Sequence, residues 1–152
     1  MATAPRTGRA RTPAQTFALV FGSVYLLIGL VGFAATGFDQ FATWNDDKLL
    51  IFTLNPLHNI VHLLIGAVWV GAASKHDTAK TVNLAIGVVY LLVAVLGFLQ
   101  VEFVAELLSI NDGDAAKASA TDPDNFLHLV SGAAGVFFGT AGAEGTAGTR
   151  TT

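Results

Sequence analysis

The sequence predicts an all-α membrane protein: a four-transmembrane-helix bundle built from two tandem two-helix repeats, related by a pseudo-two-fold axis along the membrane normal. Three observations carry that prediction. Hydrophobic residues make up 53% of the 152 residues and charged residues 12%, where soluble domains carry about 25% charged residues. Mean hydropathy is +0.59. Four apolar segments, each long enough to cross a hydrocarbon layer about 30 Å thick, account for most of the chain.

The third observation is an internal recurrence. Gly22-Ser23-Val24-Tyr25-Leu26-Leu27 aligns with Gly87-Val88-Val89-Tyr90-Leu91-Leu92 at an offset of 65, and Gly32-Phe33 falls on Gly97-Phe98. Asn59 to Ala67 aligns with Asn125 to Ala133 at an offset of 66, matching at Asn, His, Leu, Gly and Ala. Chance likeness between leucine-rich helices predicts shared Leu and Val. It does not predict tyrosine, glycine and histidine keeping their positions.

Taken in order, Met1 to Thr16 reads as a disordered basic tail holding Arg6, Arg9 and Arg11. The membrane domain is expected over residues 17–142, with repeat one at 17–74, repeat two at 82–142 and a cytoplasmic tail at 143–152. Phe17 to Thr36 is free of charge. It is longer than the ~7–15-residue core of a signal peptide and recurs later, so it reads as a retained helix. Gly37 to Leu54 is an outer connection in which Trp44 suits a membrane interface. Leu49 to Leu54 is apolar and is a candidate re-entrant piece before Pro56.

Asn55 as cap and Pro56 as first helical residue start the second helix, because proline's missing donor costs nothing there. This helix is expected to reach Ser74, followed by a tight turn over Lys75 to Thr81 that includes His76. The third helix is expected from Val82 to about Phe103, with Val104 to Ile110 prolonging it along the membrane surface. Asp122 and Pro123 repeat the cap-then-proline start, and the fourth helix runs to about Gly142.

With both termini inside, cytoplasmic segments hold Arg6, Arg9, Arg11, Lys75, Lys80 and Arg150, against Lys48 and Lys117 outside. The positive-inside rule favours that orientation. It places His62 and His128 at matching depths beneath the outer surface. Ser131, Gly135 and Gly139 form a small-residue stripe on the fourth helix, and Gly66 and Gly132 serve similar close packing.

The run Asn55-Pro56-Leu57-His58-Asn59-Ile60-Val61-His62 carries the chemistry. His58 and His62, at i and i+4, share one helix face, about 3 Å and 9 Å along the axis from Pro56 at 1.5 Å per residue. Ionisable groups at such depth face a bundle interior and find partners. Asn55, Asn59, Asp124 and Asn125 are the polar residues nearby, and Asp124 stands where the second repeat would place His58, making His58/Asp124 a natural hydrogen-bonded couple.

These stretches, with Asp124-Asn125-Phe126-Leu127-His128-Leu129-Val130-Ser131-Gly132, resemble a bacterial, mainly actinobacterial family of four-helix integral membrane proteins, domain of unknown function 4383. The resemblance covers Phe17 to Gly142. It implies the architecture, a place in the plasma (inner) membrane and the importance of His58, Asn59, His62, Gly66, His128 and Gly132. It implies no activity, substrate or cofactor.

Two function classes follow. One is a structural or accessory membrane subunit whose outer-side histidine cluster organises the bundle through a network with Asn55, Asn59, Asp124 and Asn125. The other is a metal- or haem-binding membrane protein. His58, His62 and His128 would then ligate zinc, copper or nickel, or His62 and His128 would be the axial ligands of a haem, with Gly66 and Gly132 making room for the macrocycle. No nucleophile with a base and no phosphate-binding loop is present, so no catalytic residue is named. The expected partners are the lipid bilayer and a larger membrane complex or a second copy of the chain. The sparse basic tail does not suggest nucleic acid. The absence of cysteine excludes disulfides and thiolate metal sites.

Overall fold

A computed structural model describes residues 10–44, 46–109 and 119–141. Within them the fold is helical, with helices α1 (Pro13–Thr36), α2 (Pro56–Ala72), α3 (His76–Phe98), α4 (Glu102–Leu108) and α5 (Pro123–Thr140). A two-stranded antiparallel hairpin, β1 (Lys48–Leu49) and β2 (Phe52–Thr53), lies between α1 and α2. The expected positions Arg6, Arg9, Ile110, Asp112, Asp114, Lys117, Arg150 and the tail 143–152 lie outside the described residues.

Two helices, Pro13–Thr36 and His76–Phe98, are long and apolar enough to cross a membrane. Helix α2 is a shorter apolar helix of 17 residues, and α5 has 18. At 1.5 Å per residue they are about 26 Å and 27 Å long.

Local chemistry sets the boundaries, and several differ from expectation. Helix α1 starts at Pro13 rather than Phe17. Thr12 and Gln15 form a capping box in which each side chain takes the other's backbone N–H, satisfying donors that a helix start leaves unpaired. This shortens the expected basic tail.

Helix α3 starts at His76, so the expected turn over Lys75 to Thr81 is its first turn and a half. Asp77 sits in that first turn, where the helix dipole favours an acid. It ends at Phe98 rather than Phe103, because the chain reverses at Gln100 with φ 55°. Helix α4 is therefore a separate short helix. The expected re-entrant piece is corrected to the β1–β2 hairpin, turned at Leu50 (φ 61°) and Ile51 with Lys48 opposite Thr53. Trp44 packs with Val93 and Leu108 around Ala105 of α4. As expected, α2 and α5 each begin with a cap and proline: the Asn55 side chain accepts from His58 N–H, and that of Asp122 from Asp124 N–H.

The helices pair as α1 with α2 and α3 with α5, and glycines decide how closely. A Cβ at Gly22 would stand 2.8 Å from the Gly66 carbonyl oxygen, and one at Gly87 would stand 2.9 Å from that of Gly132. Gly32 faces the side chain of Asn59, and Gly97 faces that of Asn125. These two α1–α2 contacts thus recur between α3 and α5 on the residues that the two offsets align.

Large apolar side chains lie on the outside of every long helix, among them Leu27 and Leu30, Leu64 and Val68, Leu92 and Val95, Val130 and Phe137. The interior divides into two halves. Around the α1 N-terminus, Phe17 stacks on Phe21 and Phe138 at centroid separations of 4.2 and 4.8 Å, with the fully buried Trp69 edge-on at 5.9 Å. Hydrogen bonds from Gln15 to the Ala73 carbonyl (2.9 Å) and from Asn83 to the Ala14 carbonyl (3.1 Å) tie this end together. The other half holds the histidines.

Candidate functional site

Helices α2 and α5 deliver the site from their first turns. The cap-and-proline starts fix where each helix begins, so the side chains two and six residues after Pro56 face the interior one above the other. His58, His62, Asp124 and His128 are all buried, at 1–2% exposure. The ring centroids of His58 and His62 are 4.5 Å apart, and those of His58 and His128 are 6.1 Å apart.

Beneath them lie two tyrosines. Tyr25 meets His62 edge-on at 5.0 Å, and Tyr90 stacks on His128 at 5.1 Å. Tyr25 and Tyr90 are 5.6 Å apart, and the Tyr25 hydroxyl donates to Ser131 Oγ at 3.2 Å. Trp69 closes the column from below, 5.2 Å from Tyr25 and 6.1 Å from Tyr90.

His58 Nδ1 stands 3.8 Å from Asp124 Oδ2. That is an ion-pair separation, too long for the hydrogen bond expected of this couple. Leu108, at the end of α4, lines the same small cavity as the His58 ring. His58 Nδ1 is buried and without a hydrogen-bond partner among the described residues. Both Asp124 carboxylate oxygens and the Nδ1 atoms of His62 and His128 are likewise buried and without hydrogen-bond partners there. One ligand atom each from His58, Asp124 and His128 lie within 4.8 Å of one another.

The asparagines expected to bond these histidines pin connections instead. Asn55 Nδ2 donates to the Leu107 and Thr43 carbonyls (2.9 and 3.3 Å), Asn59 Nδ2 to Thr36 Oγ1 (2.9 Å) and Asn125 Nδ2 to the Ser119 carbonyl (2.9 Å). Each ties a helix start to a neighbouring segment, leaving the histidines to face one another and Asp124. Thr53 Oγ1 reaches Asp122 Oδ2 at 3.4 Å, which joins the hairpin to the cap of α5.

Gly66 and Gly132 do not border open space. A Cβ at Gly66 would stand 2.7 Å from Leu26 N, and one at Gly132 2.8 Å from Leu91 N. Gly135 meets Asn83 O and Gly139 meets Leu84 N in the same way, and Ser131 is buried. A cavity of about 60 Å³ lies between His58, His62, His128 and Tyr90, and one of about 70 Å³ beside His62, Asp124 and Leu54. A water molecule's share of liquid volume is about 30 Å³, so these spaces suit water or a bare ion. They do not fit a haem, and the glycine surfaces where one was expected are covered by the opposing helix.

A family model, Domain of unknown function (DUF4383), matches residues 15–141. The chain belongs to this family. Residues from His58 to Gly132 that form the cluster and its packing all fall inside the matched span. No curated protein and no solved structure matches the chain. The histidines, Asp124 and the glycines were legible in the sequence, but not Leu108, Trp69 or the ring partners Tyr25 and Tyr90. The recurrence of both tyrosines at the offset of 65 was the signal that pointed to them.

Proposed function

We propose that this is a multi-pass integral membrane protein of the plasma (inner) membrane that acts as a structural or accessory subunit. Its four long helices span the bilayer with both termini cytoplasmic, and its buried outer-side polar cluster holds them in one arrangement. One observation carries the reading: apolar side chains cover the outside of all four helices while His58, His62, Asp124 and His128 are inside. That distribution suits a hydrocarbon solvent, which offers polar groups no partner and apolar ones no penalty.

Helices α2 and α5, at 17 and 18 residues, sit at the short end of the spanning range of about 17–25. The recurring glycine, asparagine and tyrosine–histidine contacts support two parallel repeats about a pseudo-two-fold axis along the membrane normal. The polar column stops at Trp69, and the aromatic cluster below it supports a sealed bundle rather than a path through the membrane. A reporter enzyme active only in the cytoplasm, fused after Thr152, tests the topology; one inserted between Glu106 and Ser119 is its counterpart. The first is expected to be active and the second silent; the reverse would overturn the orientation, and equal activity at both positions would overturn the four-span reading.

A further inference from the structure

We infer that His58, Asp124 and His128 form a binding site for one divalent transition-metal ion of the zinc type. The inference rests on the membrane-bundle reading and adds to it a ligand and its donors. A carboxylate buried without a hydrogen-bond donor is among the costliest arrangements a fold can hold, and both Asp124 oxygens are so placed among the described residues. What faces Asp124 Oδ2, 3.8 Å away, is His58 Nδ1, and this atom and Nδ1 of His128 are also buried without a hydrogen-bond partner among the described residues. One cation held between these atoms supplies all of them with a partner.

The geometry fits a small ion. Two donors bound to zinc at ~2.1 Å and separated by 3.8 Å subtend about 130° at the metal. All three donors lie within 4.8 Å of one another, and two ligands on a tetrahedral zinc at ~2.1 Å stand about 3.4 Å apart, so the widest pair closes by up to ~1.4 Å on binding. Two imidazoles and one carboxylate match zinc's preference for three protein ligands with an open fourth position. They are too few and too nitrogen-rich for calcium or magnesium. The cavity between His58, His62 and His128 gives the fourth position room for one water. In this assignment Asp124 is a ligand. His62, one turn deeper against Tyr25, borders the open position without ligating.

The test uses the full chain in detergent micelles, stripped of metal with a chelator, and titrated first with Co²⁺ and then with Zn²⁺. Co²⁺ is expected to give visible absorption that saturates at one ion per chain and is displaced by Zn²⁺, and Zn²⁺ is expected to raise the melting temperature, because binding to the folded state alone stabilises it. Ca²⁺ is expected to do neither. Asp124→Asn and His128→Gln should each weaken Zn²⁺ binding at least ~100-fold, while His62→Leu and His76→Leu change it less than ~10-fold, the lower bound for loss of an outer-shell group. No saturable uptake, or no rise in melting temperature, overturns the site whatever the variants do. So does an Asp124→Asn protein that melts like the parent and binds Zn²⁺ equally. Failure here with the reporter fusions as expected leaves the bundle standing; reporters of equal activity remove the bundle reading itself.

Discussion

Replacing Gly132 by alanine tests the packing that brings α5 against α3. The new Cβ would stand 2.8 Å from Leu91 N and 3.0 Å from Gly87 O, both backbone atoms of α3 that no side-chain rotation can move. Carbon atoms sit comfortably at about 3.5–4.0 Å, so the helices must part by roughly 0.5–1 Å. Overpacking of this kind costs about 1–3 kcal/mol, and alanine's better helix propensity offsets about 0.5–1 kcal/mol. The expected net loss is therefore about 1–2 kcal/mol. Gly71→Ala is the matched control: nothing lies within 4 Å of its Cβ, and the same propensity term should stabilise it by up to about 1 kcal/mol. A gap of about 2 kcal/mol is roughly thirtyfold in the folded-to-unfolded ratio. Equilibrium unfolding in mixed micelles of rising SDS content, followed by the fluorescence of the buried Trp69, measures it. Equal midpoints for the two variants, or a more stable Gly132→Ala, would refute the close-packing argument.

Other substitutions separate the roles of the histidines and of the α1 start. His58→Leu should destabilise the bundle by about 1–3 kcal/mol in the same unfolding assay, since it takes the facing imidazole away from the buried Asp124 carboxyl, 3.8 Å from it. His62→Leu should lie within about 1 kcal/mol of the parent, because it removes a buried Nδ1 that bonds nothing among the described residues and leaves no group newly unpaired; a loss as large as that of His58→Leu would contradict this. Thr12→Ala removes both the cap on Gln15 N–H and the 2.8 Å contact to His76 Nδ1. It should cost about 0.5–2 kcal/mol and speed amide exchange at the start of α1 while leaving α5 unchanged.

What the sequence made legible were features with a local cause. Asn55-Pro56 and Asp122-Pro123 locate two helix starts because a cap followed by proline has few other uses. The offsets of 65 and 66 anticipate which glycine meets which backbone. The Thr12-Pro13-Ala14-Gln15 start was equally local, but the neighbouring arginines read as a tail. Asp77 and Lys80 read as a solvated turn, although an acid in a first helical turn is also a helix signal.

Other features depended on contacts that no spacing encodes. The hairpin rests on Leu50 adopting φ 61°, which is unfavourable for a leucine, and Thr53 ties it to Asp122, 69 residues away. The bond from Asn55 to the Leu107 carbonyl joins residues 52 apart, on elements whose meeting depends on the reversal at Gln100. The histidines were visible, but that His58 turns Nδ1 toward Asp124 was not.

The division between a polar half and an aromatic half has an electrical consequence. In the proposed orientation the stack of Phe17, Phe21, Trp69 and Phe138 lies toward the cytoplasm, and the polarisable histidine–tyrosine column lies toward the outside. His58 is the third residue of α2, so in that orientation nearly the whole thickness of the membrane lies on its cytoplasmic side. Moving one elementary charge through the whole field is worth about 2.3 kcal/mol per 100 mV. A charge placed beside His58, in the first turn of α2, crosses only a small fraction of that field. Occupancy at this depth is accordingly set by what is dissolved on the outer side, and energising the membrane leaves it almost unchanged.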